Sequence, residues 1–405
     1  MNLTDQSTVA RKASALPYMP QLDALRAFAV GAVLIHHFAD FKHLPYVMGQ
    51  IPWGFLGVRL FFVLSGFLIT GILIESRDRA DGSNGSRWFG IRQFYTRRFL
   101  RIFPLYYFVI GVLLLLNVQP AREIFLWLLT YTFNIQVSIQ GWFPENVSHF
   151  WTLSVEEQFY IFWPWLILFA PRRSLIPVIC ALICLGPLYR LYAVAHELSE
   201  ATTYCFTLSA LDTLGMGALL ALVSHGNTAK QTIERFLFRV VLPTGVVATI
   251  ALTAMFYSKT NWKAYVVLLD TAVALVSCWL ISAASRGFKG PVGVLLESRP
   301  LVYCGKITYG IYVYHLFMPL LIAPIFGKLG WVYAQRGMVT LLVSSAATFA
   351  VASLSWYLME KPINNLKRHF SYRPKPALRS PSVDYGIALD SLVSVAEAGG
   401  SPRSM

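Results

Sequence analysis

The chain has 405 residues and is too apolar for a soluble protein. Residues of the AVILMFWYC set make up 56% of it and charged residues only 13%, against about 25% charged in typical globular domains. This composition excludes a freely soluble enzyme, a secreted disulfide scaffold and a disordered chain.

Ten apolar runs predict an all-α fold, a polytopic membrane bundle of about ten transmembrane helices. The runs cover 24–39, 57–74, 102–118, 151–170, 174–195, 206–224, 240–257, 265–284, 307–326 and 337–358. An eleventh run, 124–136, is too short for the roughly 20 residues that a helical crossing needs. It is therefore predicted to be a short re-entrant or interfacial segment.

The placement of positive charge supports this topology. With the N-terminus inside and 124–136 not crossing, 26 of the 34 Lys and Arg residues fall on the inner side and 8 on the outer side. Cytoplasmic loops are enriched in these residues. The net charge of +14 is thus explained by topology, and no nucleic-acid partner is predicted.

The chain divides into three parts. Residues 1–20 form a polar N-terminal tail and residues 21–369 the transmembrane domain. Residues 370–405 are rich in Pro, Ser and Gly without apolar periodicity, which is typical of a disordered extension. Both tails are predicted to be cytoplasmic.

The first span carries the strongest candidate site, because ionisable residues inside a membrane are functional hypotheses by default. Arg26 and His37 are eleven residues apart, so they share one helical face with about 16 Å of rise between them. Asp23 lies on the same face, whereas His36 points about 80° away. The alternative is a snorkelling arginine with an interfacial histidine.

Two other polar sets stand out. The first is a phosphate-sized cluster beside the cytoplasmic headgroups, formed by Arg97, Arg98 and Arg101. Guanidinium groups match phosphate oxygens in a bidentate way. The alternative is that these arginines set the membrane topology and contact anionic lipids. Glu156 and Glu157 begin the fourth span on the outer side, where burial would suit acid–base work and the helix macrodipole is the ordinary explanation.

The remaining candidates favour structural roles. Asp212 and Asp270 lie within spans and are expected to face the bundle interior. His315 is as consistent with packing as with reactivity, and Arg59 is expected to anchor the outer end of its span. Glu360-Lys361 is expected to end the last span as an ion pair. The five cysteines show no metal-ligand spacing, so no metal site is predicted.

Six segments in order resemble the membrane-bound acyltransferase 3 family. The first is LDALR at 22–26, which is followed by His37 after ten intervening residues. The others are GVRLFFVLSGFLI at 57–69, FYTRRFLRIFPLYY at 94–107, HFWTLSVEEQFY at 149–160, TYGIYVYH at 308–315 and EKP at 360–362. The resemblance covers about residues 18–368. It departs from the usual pattern at Arg59, often Asp, and at Thr152, often Ser.

The resemblance implies an integral membrane O-acyltransferase of the bacterial inner membrane, in contact with membrane lipids. The donor would be acyl-CoA, acetyl-CoA by default, used as a co-substrate without a permanently bound cofactor. The acceptor would be a sugar hydroxyl of a polysaccharide, a glycolipid or a glycosylated small molecule. Residues 370–405 are too few for the SGNH-type hydrolase domain that larger members append, so none is expected.

A mechanism follows as a hypothesis. The CoA nucleotide would bind Arg97, Arg98 and Arg101 with Arg26 nearby, and the pantetheine arm would run outward along the first span. Neutral His37 would take the proton of the acceptor hydroxyl, and Glu156 would orient the imidazole. A covalent acyl-histidine intermediate stays open.

Two other classes of function also stay open. One is a transporter of amphiphiles or protons that uses the buried His, Glu and Asp residues as a relay. The other is a non-catalytic membrane partner of a polysaccharide assembly complex.

Overall fold

The computed structural model describes residues 18–41, 46–82, 85–225 and 230–370, and these ranges contain helices and no β-strand. The helices are α1 Pro20–Phe38, α2 Tyr46–Gln50, α3 Trp53–Gly82, α4 Arg87–Leu115, α5 Phe125–Leu129, α6 Phe133–Gln140, α7 Phe150–Phe169, α8 Arg172–Ala195, α9 Glu200–Cys205, α10 Leu211–Ser224, α11 Lys230–Phe236, α12 Leu242–Tyr257, α13 Trp262–Arg286, α14 Gly290–Leu296, α15 Arg299–Tyr314, α16 Met318–Lys328, α17 Met338–Ser355 and α18 Lys361–Asn365. The predicted all-α class is confirmed. The tails predicted for 1–20 and 370–405 fall outside the described residues, apart from 18–20 and 370, and stay predictions.

Eight helical segments of the described chain are long and apolar enough to cross a membrane. They are Trp53–Gly82, Arg87–Leu115, Arg172–Ala195, Thr207–Ser224, Gln231–Tyr257, Trp262–Arg286, Arg299–Lys328 and Met338–His369. Each coincides with one of the ten predicted runs. The other two runs form α1 and α7, of 19 and 20 residues. These two helices carry four charged residues, Asp23 and Arg26 on α1 and Glu156 and Glu157 on α7, which make them less apolar, and both are largely buried by their neighbours.

The short run at 124–136 does not form a spanning helix. It folds as part of α5 and α6, which have five and eight residues, and the chain turns between them at Tyr131 with a φ of 54°. Neither helix reaches the roughly 20 residues that a crossing requires.

Glycines bring the central helices into backbone contact. A Cβ at Gly66 would lie 2.0 Å from the carbonyl oxygen of Leu214, and one at Gly217 would lie 2.0 Å from that of Val63. Both contacts join α3 to α10. A third, at Gly305, joins α15 to α1 through the carbonyl of Asp23 at 2.0 Å. Small residues permit this close approach in membranes, and the glycines thereby hold α1, α3 and α15 around the site.

The α3–α10 contact predicts a difference between two equivalent substitutions. Gly217→Ala should destabilise the fold by about 1–3 kcal/mol, since the new methyl meets backbone that has no room to move. Gly111→Ala on α4 should be neutral, because nothing lies within 4 Å of its Cβ position. Thermal unfolding of both purified variants in detergent measures the difference. Equal Tm values for the two would contradict the assigned contact.

Candidate active site

A cavity of about 150 Å³ lies among α1, α3, α4, α7 and α15. Five charged side chains line it: Arg26, Arg98, Arg101, Glu156 and Glu157. Its apolar wall includes Val58, Phe61, Phe62 and Leu153. All five charged residues were singled out in the sequence, so the fold brings residues from three helices to one space.

Arg26 is held in place by its own helix. Its Nη1 donates to Oδ1 of Asp23 at 2.6 Å, and the Tyr18 hydroxyl donates to the second Asp23 oxygen at 2.8 Å. Asp23 is buried. The shared face predicted for Asp23 and Arg26 is therefore a direct ion pair, in which the carboxylate fixes the guanidinium at the cavity wall.

Two of the three candidate arginines on α4 reach the cavity. The Arg98 guanidinium lies 5.0 Å from the centre of the Tyr160 ring, and Arg101 donates to the carbonyl of Lys306 at 3.1 Å. Arg97 points elsewhere, since its Nη1 donates to the carbonyls of Lys367 and Phe370 at 3.0 Å each. The structure thus gathers Arg98 and Arg101 with Arg26 and leaves Arg97 against the end of the last helical segment.

Glu156 belongs to the cavity rather than to His37. Its Oε1 accepts a hydrogen bond from the Ser65 hydroxyl of α3 at 2.6 Å, and the Tyr160 hydroxyl donates to the same Ser65 oxygen at 3.0 Å. The expected contact between Glu156 and the His37 imidazole is not formed. The sequence placed both residues at one depth, but helical depth carries no information on which neighbour each side chain faces.

His37 lies outside the cavity lining, in a group of histidines at the ends of three helices. Its ring centre is 5.1 Å from that of His315, and the His315 ring is 4.9 Å from that of His149. We call His37, His149 and His315 the histidine cluster. No set of three or more His, Cys, Asp or Glu side chains in the described residues is arranged to hold a metal ion.

Tyr312 separates the histidine cluster from the cavity. Its side chain lines the cavity, its hydroxyl lies 2.6 Å from Oγ1 of Thr152, and its ring centre is 5.5 Å from that of His315. Sequence reasoning missed this arrangement. The available signal was partial: His37 and His149 lie at the outer ends of two predicted spans, whereas His315 falls inside the predicted run 307–326.

A second group of charges is buried apart from the cavity and is joined by ion pairs. Arg59 forms an ion pair with Asp270, and Arg190 contacts Asp212 at 2.6 Å and Asp270 at 3.9 Å. The Arg59 guanidinium also lies 4.4 Å from the centre of the Tyr204 ring. Two cations and two anions leave this network neutral, and it ties α3 to α8, α10 and α13.

Three expectations about buried charged residues have an outcome in the structure. Asp212 and Asp270 face the interior, as predicted, with exposed fractions of 0% and 3%. Arg59 is not an interfacial anchor, since it is 0% exposed; its carboxylate partner comes from α13, far away in the sequence.

The expected Glu360–Lys361 ion pair is also wrong. Glu360 is buried and accepts a hydrogen bond from Ser355 at 3.4 Å, and the Lys361 ammonium lies over the Tyr357 ring.

The charge network predicts non-additive stability effects. Asp270→Leu should cost about 3–5 kcal/mol, because it leaves Arg59 as an unpaired buried cation. Adding Arg59→Met should recover a large part of that loss, since neither charge then remains. Thermal unfolding of both single variants and the double variant forms a double-mutant cycle. Strictly additive single costs would contradict the pairing.

Comparisons with known proteins identify the family of the chain. Residues 19–360 match the model of the acyltransferase 3 family, described as an acyltransferase domain. The chain is 25% identical over 378 residues to the O-acetyltransferase OatA of Staphylococcus aureus, covering 88% of this chain and 59% of the relative. It is 25% identical over 366 residues to the peptidoglycan O-acetyltransferase OatA of Listeria monocytogenes, covering 85% of this chain and 56% of the relative.

The chain therefore spans somewhat more than half the length of these curated relatives. No solved structure is a significant match. Because the family match extends over nearly the whole described domain, with the cavity and the histidine cluster inside it, the chain belongs to the acyltransferase 3 family.

Proposed function

We propose that this protein is a membrane O-acyltransferase that moves an acyl group, acetyl by default, from acyl-CoA to a carbohydrate hydroxyl. One observation carries the proposal. A cavity lined by Arg26, Arg98 and Arg101 also has Tyr312 in its wall, and the Tyr312 ring contacts His315 of the histidine cluster. An anion site and a proton acceptor thus lie along one path through the bundle.

The arginines supply the donor side. Three guanidinium groups around one cavity suit the phosphates of CoA, which they can bind in a bidentate way. Asp23 acts through Arg26 by fixing its position, and Arg97 supports the donor site from the cytoplasmic side, where it holds the 367–370 segment. The rise of about 16 Å from Arg26 to His37 gives the extended pantetheine arm its route outward.

His37 supplies the acceptor side. Its neutral imidazole takes the proton of the sugar hydroxyl while the oxygen attacks the thioester carbonyl. The carbon–sulfur bond then breaks, and the proton passes to the departing CoA sulfur. The thioester reaches His37 past the Tyr312–Thr152 pair. The two side chains must move apart to let the thioester through. Glu156 lies in the cavity wall and contacts the donor there. It does not orient the His37 imidazole.

The acceptor is proposed from the relatives. Both are named O-acetyltransferases, and the Listeria protein is named for peptidoglycan. We therefore propose a cell-envelope carbohydrate as acceptor, presented at the outer face. The protein would lie in the bacterial inner membrane with both termini in the cytoplasm, in agreement with the distribution of Lys and Arg. Donor and acceptor then meet without CoA crossing the membrane.

A transporter with a carboxylate relay receives less support. Away from the cavity, the buried Asp212 and Asp270 are paired with arginines, and the buried Glu360 accepts a hydrogen bond from Ser355. The two aspartates thus serve to neutralise Arg59 and Arg190. A non-catalytic partner protein would have no use for an arginine-lined cavity beside three histidines.

Two adjacent histidines provide the test of function. His37→Ala should abolish acylation of envelope glycans, because it removes the proton acceptor, whereas His36→Ala, at an exposed position, should retain it. Mass spectrometry of glycans and glycolipids is compared between cells that express each variant and cells without the protein. The mass of the lost group also separates acetyl from succinyl. Normal acylation by His37→Ala would contradict the proposal.

The donor site makes a separate kinetic prediction. Arg98→Gln and Arg101→Gln should each raise KM for acetyl-CoA about tenfold or more, since a charge-assisted contact to phosphate is lost. Arg92→Gln, an exposed position on the same helix, is the matched control and should leave KM unchanged. Initial rates of CoA thiol release from membranes, taken over a range of acetyl-CoA concentrations, give these values. An effect of Arg92→Gln equal to the others would place the phosphates outside the cavity.

A further inference from the structure

The histidine cluster contains two buried rings that have no role in the proposed reaction. His315 is 0% exposed and His149 is 3% exposed. They come from different helix ends, His315 directly after α15 and His149 directly before α7. Both lie deeper than His37, which is only partly buried.

The hydrogen bonds of these rings fix their tautomers. Nδ1 of His315 lies 2.6 Å from the carbonyl oxygen of Tyr312. Because a carbonyl oxygen can only accept, Nδ1 must carry the hydrogen, and in the neutral ring Nε2 is then a bare acceptor. By the same reasoning Nε2 of His149 donates to the carbonyl of Val313 at 3.1 Å, and its Nδ1 is the acceptor.

Both acceptor nitrogens are buried without a partner. Nε2 of His315 and Nδ1 of His149 make no hydrogen bond, although an unpaired buried polar atom is costly. The neighbour that can supply a donor to His315 is the His37 ring, with its centre 5.1 Å away. His149 packs against His315 in turn, at 4.9 Å, and so supports that ring.

We propose that His315 is the positioning residue for His37, in place of the carboxylate that histidine bases commonly use. Nε2 of His315 accepts the single N–H of neutral His37. The other His37 nitrogen is then the bare one, available to the acceptor hydroxyl. This inference rests on the proposed function of His37 as the proton acceptor.

The proton balance of the reaction is unchanged by this arrangement. The hydroxyl proton moves to the bare nitrogen of His37 as the oxygen–acyl bond forms. The resulting imidazolium keeps its other N–H directed at His315, and the first proton leaves with the CoA sulfur as the carbon–sulfur bond breaks. His315 itself is neither protonated nor acylated, so it orients His37 without exchanging a group.

Two amide substitutions separate this role from a structural one. A glutamine can place its amide oxygen where Nε2 of His315 lies, and an asparagine can place its amide nitrogen where Nδ1 lies. His315→Gln therefore retains an acceptor for His37. His315→Asn retains the donor to the Tyr312 carbonyl and loses that acceptor. If His315 serves only to bond Tyr312, the asparagine variant is the one that should work.

The assay uses [14C]acetyl-CoA with opened membrane vesicles that contain the full-length variant and their own glycans as acceptors. We expect His315→Asn to lower the maximal rate per protein about 100-fold or more, because a base that is no longer held in position loses part of the roughly 10²–10⁴-fold that a positioned base contributes. KM for acetyl-CoA should stay within about twofold, since the donor site is untouched. His315→Gln should recover most of the rate. Equal activity of the two variants, or greater activity of His315→Asn, would overturn the inference.

A second measurement avoids the question of whether a variant folds. In the unsubstituted protein labelled with [15N]histidine, a hydrogen-bond-mediated correlation should join a His37 nitrogen to Nε2 of His315. Its assignment comes from its loss in His37→Gln. A His37 ring without this correlation would overturn the inference.

The proposed function is tested separately in the same membranes. Label transfer that survives His37→Ala defeats the proposed function. An inactive His37→Ala beside a fully active His315→Asn defeats only the role given to His315.

Discussion

A charged side chain inside a membrane bundle must either be neutralised by a partner or lie in a cavity, because hydrocarbon offers it no other stabilisation. The structure obeys this constraint in two ways. Arg59, Arg190, Asp212 and Asp270 cancel one another in a buried network. Arg26, Arg98 and Arg101 instead share a cavity with Glu156 and Glu157. The first arrangement joins helices, and the second leaves charge available to a ligand.

The two arrangements are linked through α3. Its Gly66 meets α10 by backbone contact, its Arg59 reaches the paired network, and its Ser65 holds Glu156 in the cavity wall. A single helix therefore fixes both the scaffold and part of the site. Rigid support of this kind suits acyl transfer, in which the thioester and the proton acceptor must be held within a short distance of each other.

The sequence was sufficient to predict the features that the membrane environment determines. Apolar length predicted the helices, and the short 124–136 run was correctly predicted not to form a spanning helix. The shared face of Asp23 and Arg26 followed from helical periodicity alone.

The sequence was insufficient wherever a contact joins distant helices. Arg59 was expected at an interface, because nothing near it in the chain reveals Asp270. Glu156 was expected beside His37, whereas its partner is Ser65, 91 residues earlier. The contact between His37 and His315 was not predicted at all. Periodicity gives the direction of a side chain around its own helix, and only the packing of helices determines what it meets.

The central claim is that the arginine-lined cavity and the histidine cluster are the two ends of one donor site. Electron cryo-microscopy of the protein with a non-hydrolysable acetyl-CoA analogue tests it most directly. The account predicts phosphate density against Arg98 and Arg101 and the acyl end at Tyr312, next to His37. An analogue bound elsewhere, such as the separate space beside Met19 and Arg286, or one whose acyl end points away from His37, would contradict it.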